Sequence, residues 1–159
     1  MRIPEDTKQR IKRMKKEFSK EPNIKVFEND EHYDQLIIQS GIPFMANCEH
    51  HRIAFTGIAH IGYLPNSKLV GLSKMARIVE LYLNPTIYTL QERATEQIAN
   101  YFMEKVKPEG VMVVLEGVHA CISYRGVKKP SKTITSAIRG KFRTDEGLKS
   151  EFLRLIDKG

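Results

Sequence analysis

Two short stretches hold both cysteines of this 159-residue chain and three of its five histidines. The first is Asn47-Cys48-Glu49-His50-His51, the second Val118-His119-Ala120-Cys121. A thiolate and an imidazole three positions apart can reach one ion from a single turn, which makes Cys48 and His51 a candidate ligand pair. Cys121 is the only other thiol. The three together form a Cys2His set, a known catalytic zinc set that leaves one coordination position for water. His50 is adjacent to His51, must point elsewhere, and is better placed for acid–base work. The Val118–Cys121 stretch reads as strand, where residues two apart share a side. His119 would then stand beside Cys121, with Arg125 on the same side if no bulge intervenes. A titratable imidazole beside a metal ligand is where proton transfer to a substrate is needed. The plain alternative is a buried cysteine acting as a small hydrophobe and a histidine that is merely packed. It weakens when both cysteines fall in histidine-bearing motifs.

Two further motifs suggest anion and base recognition. Gly71-Leu72-Ser73-Lys74 opens a helical pattern. Backbone N–H groups, the Ser73 hydroxyl, Lys74 and Arg77 one turn on could grip a phosphate. The structural alternative is an amphipathic helix capped by Ser73, with a basic edge. Thr89-Leu90-Gln91-Glu92 fits a capping box in which Glu92 reaches back to the helix start. A functional Glu92 would instead accept two N–H groups from a guanine edge.

The elements that must position these residues can be read from periodicity. Asp6 to Phe18 is a helix with Ile11, Met14 and Phe18 as its apolar stripe and Asp6 or Thr7 as cap; Glu21-Pro22-Asn23 breaks it. Residues 24–30, 34–47 and 52–65 are strand-like, rich in Ile, Val and Phe. A helix over 71–83 places Met75, Ile78, Val79 and Tyr82 at helical spacing and stops at Asn84-Pro85. A second helix follows from 89 to 106, with Leu90, Ala94, Ile98 and Phe102 on one side. Residues 111–127 read as strand, with a bend at Gly117 allowed, and 132–142 as another. Thr144 to Ile156 is a terminal helix facing Leu148, Phe152 and Leu155 inward. The fold class is α+β: an antiparallel sheet with two consecutive helices inserted midway and packed on one face. The whole of 1–159 is one domain, a basic helix over 1–20 and a core over 21–159.

Composition sets the outer limits. Hydrophobic residues are 41% and charged residues 28%, an ordinary soluble mixture with a core of useful size. No apolar run approaches the roughly 18 residues of a membrane span. The polar start is no secretory signal, and two cysteines are too few for a disulfide scaffold, so the expectation is a cytoplasmic protein without membrane contact. The formal net charge is +7, of which residues 1–20 carry +5. Such a balance favours anionic partners. Nucleic acid is disfavoured, because a binding face needs aromatics interleaved with the basic residues for stacking. Residues 1–20 offer only Phe18, which the helix stripe takes.

NCEHH, AHIGYLP, GLSKMARIVELY, QERATEQIA, GVHACISYRGV and the ending EFLRLI, in this order and near this spacing, resemble GTP cyclohydrolase I. The resemblance is good over 44–156. It is weaker over Glu5 to Met14, which resembles the family's basic helix with Lys8 in place of its proline. It implies the tunnelling fold, in which small antiparallel sheets from several subunits close into a barrel. It also implies a toroidal homo-oligomer, commonly a decamer of two stacked pentamers, with active sites between subunits. The implied reaction converts GTP and water to formate and 7,8-dihydroneopterin triphosphate, with zinc as cofactor. By position, Cys48, His51 and Cys121 match the zinc ligands, where activated water attacks C8 of guanine. His119 matches the residue that moves protons at the imidazole ring, and His50 the second catalytic histidine. Gln91 and Glu92 match the readers of guanine. Ser73, Lys74, Arg77 and Arg125 match triphosphate and ribose contacts, and Arg10 and Arg13 match basic residues offered by a neighbouring helix. GTP carries about four negative charges near neutral pH, so clustered Arg and Lys account for the charge without nucleic acid.

The chain departs from the family pattern elsewhere too, and Ala54-Phe55 stands where the family has Pro-Phe after its two histidines. It begins almost at the basic helix, without the extension of many members. The stretch Leu83-Asn84-Pro85-Thr86-Ile87-Tyr88-Thr89 is about two residues longer than usual and lacks the family's arginine, which bears on the pocket edge and the choice of nucleotide. Two enzyme alternatives follow: a related tunnelling-fold enzyme acting on another nucleotide such as dGTP, or one stopping at a formylated ring-opened product. A nitrile reductase of the 7-deazaguanine pathway would need a free nucleophilic cysteine, whereas both cysteines here match metal ligands.

Overall fold

The computed structural model describes residues 4–18 and 21–158. The chain runs α1 (Glu5–Phe18), β1 (Val26–Glu28), β2 (Ile37–Cys48), β3 (Ala54–Leu64), β4 (Lys68–Val70), α2 (Leu72–Tyr82), β5 (Tyr88–Thr89), α3 (Gln91–Val106), β6 (Gly110–His119), α4 (Ala120–Ser123), β7 (Lys132–Gly140), a 3-10 turn (Lys141–Arg143) and α5 (Glu146–Ile156). Five strands form one sheet in the order β5-β2-β3-β6-β7, and β1 with β4 forms a separate two-stranded ribbon. Every pairing is antiparallel except β2 with β5. The short strands β4 and β5 are additions to the elements expected from periodicity.

Alternation along the strands decides the two faces of the sheet. Ile42, Phe44, Ala46 and Cys48 of β2, Phe55, Ala59 and Ile61 of β3, and Val111, Val113 and Leu115 of β6 are buried in one cluster with α2 and α3. Met75, Ile78 and Val79 on one helix and Ala94, Ile98 and Phe102 on the other are buried as expected, whereas Tyr82 is half-buried and Leu90 is a half-buried N-cap outside its helix. Tyr63 meets Phe102 at 5.1 Å between ring centroids, and its hydroxyl accepts from Val70 N at 3.1 Å, so the buried phenol is satisfied. The opposite face carries a smaller cluster, Met112, Val114, Phe142 and Phe152, under α5. Gly62 lets Phe152 in, since a Cβ there would meet its ring at 2.4 Å. Helices therefore lie on both faces, two large ones on one side and α5 on the other.

Several local expectations are corrected. α1 forms, yet none of its residues is fully buried: of its stripe, Ile11 is exposed and Met14 and Phe18 are half-buried. Leu155 is exposed, and Ile156 packs on the smaller cluster in its place. α5 starts at Glu146 because Asp145 caps it, accepting from Leu148 N at 2.9 Å. Gly71, not Ser73, is the N-cap of α2, which leaves Ser73 in the first turn and exposed. Leu90 is the N-cap of α3, and no side chain caps that helix, so the Thr89/Glu92 capping box does not form. The strand expected over 111–127 ends at His119 and turns into α4. No helix among the described residues is long and apolar enough to cross a membrane.

Candidate active site

The motif Asn47–His51 is the end of β2 and the turn that returns the chain to β3. Arg52 closes that turn at φ 55°, its N–H donating to Cys48 O at 2.7 Å, while Cys48 N donates to Ile53 O at 2.9 Å. This puts Cys48, buried, and His51, exposed, on one side of a tight hairpin end. Cys121 arrives from the far end of β6, on the single turn α4. The ligating atoms of Cys48, His51 and Cys121 all lie within 4.8 Å of one another. The set expected from spacing is therefore assembled, though by a different route. Cys121 reaches it from a helical turn, and the strand parity with His119 and Arg125 does not exist.

This donor set suits a divalent, borderline-soft ion. Two sulfurs and one imidazole nitrogen are the donors zinc favours, and three protein donors leave one position free. Burial pushes the Cys121 thiol up, and the neighbouring Cys48 pushes it further in the same direction. A cation among the three would reverse that balance, because thiolate is the ligating form.

The three donors open onto a cleft of about 210 Å³, lined also by His50, Gln91, Glu92 and His119. That is below the ~300–1,000 Å³ typical of sites that enclose a ligand of drug size, so this chain alone offers room for a base rather than a whole nucleotide. The His50 and His51 rings stand edge to face at 75°, 6.2 Å apart, and both line the cleft. Glu92 is exposed in the first turn of α3, and the chain gives it no hydrogen-bond partner among the described residues. Its carboxylate is free for a ligand.

Gln91 and His119 form the most constrained part of the site. Gln91 is 1% exposed. Its Nε2 donates to Leu115 O at 3.1 Å, Thr133 O at 2.9 Å and Thr135 Oγ1 at 3.1 Å. With the nitrogen facing two carbonyls, Oε1 is the atom turned toward His119, 2.9 Å from its Nε2. His119 Nε2 therefore carries a hydrogen and donates it, which leaves Nδ1 as the free ring atom. The imidazole also stacks on Phe55, centroids 4.4 Å apart and planes within 7°. Phe55 and His119 are register partners across β3 and β6. Burial lowers the His119 pKa below its ordinary value, partly offset by the Glu92 carboxylate. Gly117 makes room for this arrangement, since a Cβ there would lie 2.2 Å from Gln91 Oε1.

The cationic residues expected at the site lie elsewhere in the chain. Lys74 and Arg77 line a separate cleft of about 320 Å³ with Phe18, Glu21 and Glu80. Ser73 is exposed at the start of α2, Arg10 and Arg13 are exposed on α1, and Arg125 is exposed after α4. None of these six lines the cleft at the thiols. Sequence reasoning gave no site role to Phe55, Thr133, Thr135 or Gly117, although Gly117 opens the motif GVHACISYRGV. Their register with His119 and Gln91 places them at the site, and register appears only once β3, β6 and β7 are paired.

Comparison with known proteins places the chain in a family. The sequence profile of the family GTP cyclohydrolase I matches residues 2–157. The GTP cyclohydrolase 1 of Thermoanaerobacter pseudethanolicus is 48% identical over 136 residues, covering 84% of this chain and 71% of that protein. That of Clostridium perfringens is 45% identical over 159 residues, covering 95% and 84%. Among solved structures, the archaeosine synthase QueF-Like in the apo form superposes with a TM-score of 0.54 at 13% identity, over 68% of this chain and 96% of that one. At that identity the likeness concerns the fold alone, which is the tunnelling fold. Matched along nearly its whole length, this chain belongs to the GTP cyclohydrolase I family.

Proposed function

We propose that the protein converts GTP and water to formate and 7,8-dihydroneopterin triphosphate at a zinc centre held by Cys48, His51 and Cys121. The observation that carries this reading is the convergence of three N/S donors within 4.8 Å on a cleft that also holds His50, His119 and Glu92. When bound, the ion would supply Lewis acidity and lower the pKa of a coordinated water. The remaining work falls to the chain's own groups. Glu92, unpaired at the mouth of the cleft, accepts the N–H groups along one edge of guanine. His119, held through Nε2 by Gln91, uses Nδ1 to move a proton at the imidazole ring of the base. His50, which lines the same cleft beside the ligand His51, is the second proton carrier. Gln91 has its whole amide engaged within the protein, so its contribution is to hold His119 rather than to read the base directly.

The triphosphate needs cations that this cleft does not contain. Ser73, Lys74 and Arg77 on α2, Arg10 and Arg13 on α1, and Arg125 after α4 would reach it only if neighbouring copies pack around one another. The incompletely buried stripe of α1 and the small volume of the cleft support such a ring-shaped assembly, in the family's manner a decamer of two pentamers. The test is incubation of the zinc-analysed protein with GTP, measuring formate and the ultraviolet rise of the pterin. Equal amounts, abolished by chelator, support the proposal. Formate without pterin places the reaction at a ring-opened product. Neither product from zinc-loaded protein rejects GTP as the substrate.

A further inference from the structure

The segment 84–90, read from the sequence as an edge of the pocket, lies against the base of the metal-ligand turn. Tyr88 and Thr89 pair in parallel with Asn47 and Cys48. Asn47 N donates to Ile87 O at 2.9 Å, and Glu49 N donates to Thr89 O at 3.1 Å. The segment holds its own shape through Asn84, which accepts from Thr86 N at 3.0 Å and Thr86 Oγ1 at 2.6 Å and donates to Glu80 O at 2.9 Å. One side chain ties this preformed strap to β2. Asn47 Nδ2 donates to Pro85 O at 2.9 Å and to Ile87 O at 3.3 Å.

Asn47 directly precedes the first ligand. It is held by both its backbone and its side chain, and by the same segment. Beyond it, the turn carrying Cys48 and His51 is restrained by its two closing hydrogen bonds and by the half-exposed ion pair of Glu49 with Arg93. An exposed pair contributes little. The half-buried Asn47 amide is the stronger tether, since losing it strands Pro85 O and leaves Ile87 O with the Asn47 backbone N–H alone.

We propose that Asn47 is a positioning residue of the metal centre. Its amide locks the 84–90 strap against β2 and thereby sets Cys48 and His51 at the spacing that Cys121 completes. This rests on the metal reading above. Groups that orient ligands without touching the ion typically govern metal affinity by about 10–100-fold. Asn47→Ala removes the donor, and Asn47→Asp turns a carboxylate oxygen toward two carbonyls. The experiment is zinc affinity by chelator competition on the full-length chain, with thermal unfolding of the metal-free protein alongside. Asn29→Ala serves as control. Asn29 is a comparable buried staple in another turn, donating to Tyr33 O at 2.8 Å and Asn66 O at 2.9 Å, and lies outside the metal cleft.

The expected result is a 10–100-fold weaker zinc affinity in both Asn47 variants, GTP KM within threefold of wild type at saturating zinc, and unchanged zinc affinity in Asn29→Ala. Zinc affinity within threefold of wild type in both Asn47 variants overturns this inference alone. So does equal weakening in Asn29→Ala, which would mean that general loss of stability is the cause. A wild-type chain that binds no zinc overturns the metal reading and this inference with it.

Discussion

Replacing Gln91 by leucine separates two roles that one residue could have. Leucine nearly conserves the buried volume and removes every polar atom of the amide. Four contacts go: Nε2 to Leu115 O, Thr133 O and Thr135 Oγ1, and Oε1 to His119 Nε2. A neutral hydrogen bond contributes about 0.5–1.5 kcal/mol net, and a buried group left without a partner costs about 1–3 kcal/mol. Leu115 O also lies within the β3–β6–β7 ladder, and Thr135 Oγ1 keeps Thr95 Oγ1 at 2.7 Å, so their losses are partial. The His119 N–H and Thr133 O bear most of the loss. The sum is about 2–4 kcal/mol, or roughly 5–15 °C in Tm for a chain of this size. The functional effect is larger than the stability effect. An imidazole free to rotate or to change tautomer forfeits general acid–base catalysis, typically 10²–10⁴-fold. Steady-state formate release by zinc-loaded, folded Gln91→Leu should therefore show kcat lower by at least about 10²-fold, with GTP KM within threefold. Gln91→Glu, which keeps an acceptor for His119 but loses the donors, should retain more kcat than the leucine variant. A near-normal kcat with a sharply raised KM in Gln91→Leu would refute the reasoning, because that is how a reader of guanine fails.

Gly117→Ala should act on the same pair from the other side. The new methyl would sit 2.2 Å from Gln91 Oε1, and the resulting shift should lower kcat by about 10²-fold with zinc retained, as metal analysis and single-turnover assays would show. Glu92→Gln should raise GTP KM by about 10–100-fold through loss of charged hydrogen bonds while Tm stays within a few degrees, because no capping contact is lost; a large drop in Tm would contradict that. Outside the site, His60 is buried, its Nδ1 accepting from Gly41 N at 3.3 Å and its Nε2 3.6 Å from Glu116. Burial lowers its pKa, with Glu116 acting in the opposite direction. The unfolded chain then binds the extra proton first as pH falls, so this contribution is intact above about 6.5 and lost as pH drops through the lower folded value. Urea unfolding between pH 7.5 and 5 should show a shallower decline for His60→Gln than for wild type, and parallel curves would count against it.

The large elements were legible because their periodicities are strong. The stripes of α2 and α3 marked most of their core residues, and the Ile, Val and Phe content of β2 and β3 marked them as strands. The convergence of Cys48, His51 and Cys121 was legible because cysteine is scarce in this chain and its spacing is informative. Where the reading went wrong, tertiary context overrode local pattern. Val118 to Arg125 is rich in strand formers, yet the chain must leave the sheet after His119 for Cys121 to meet Cys48. Thr89 and Glu92 have the spacing of a capping box, but β5 engages the backbone at Thr89 and leaves Glu92 free. The contacts of the Gln91 amide were not legible, because only the β6–β7 pairing reveals the oxygens it meets. The role of 84–90 was illegible for the same reason, since its partner is 38–40 residues earlier in the chain.

The most direct test of the central claim is zinc content measured side by side with GTP turnover in wild type, Cys121→Ser and His119→Ala. The account predicts one zinc per wild-type chain, loss of both zinc and formate release in Cys121→Ser, and loss of formate release with zinc retained in His119→Ala. Full zinc and turnover in Cys121→Ser would contradict the metal centre, and full turnover in His119→Ala would contradict the proton carrier built around it.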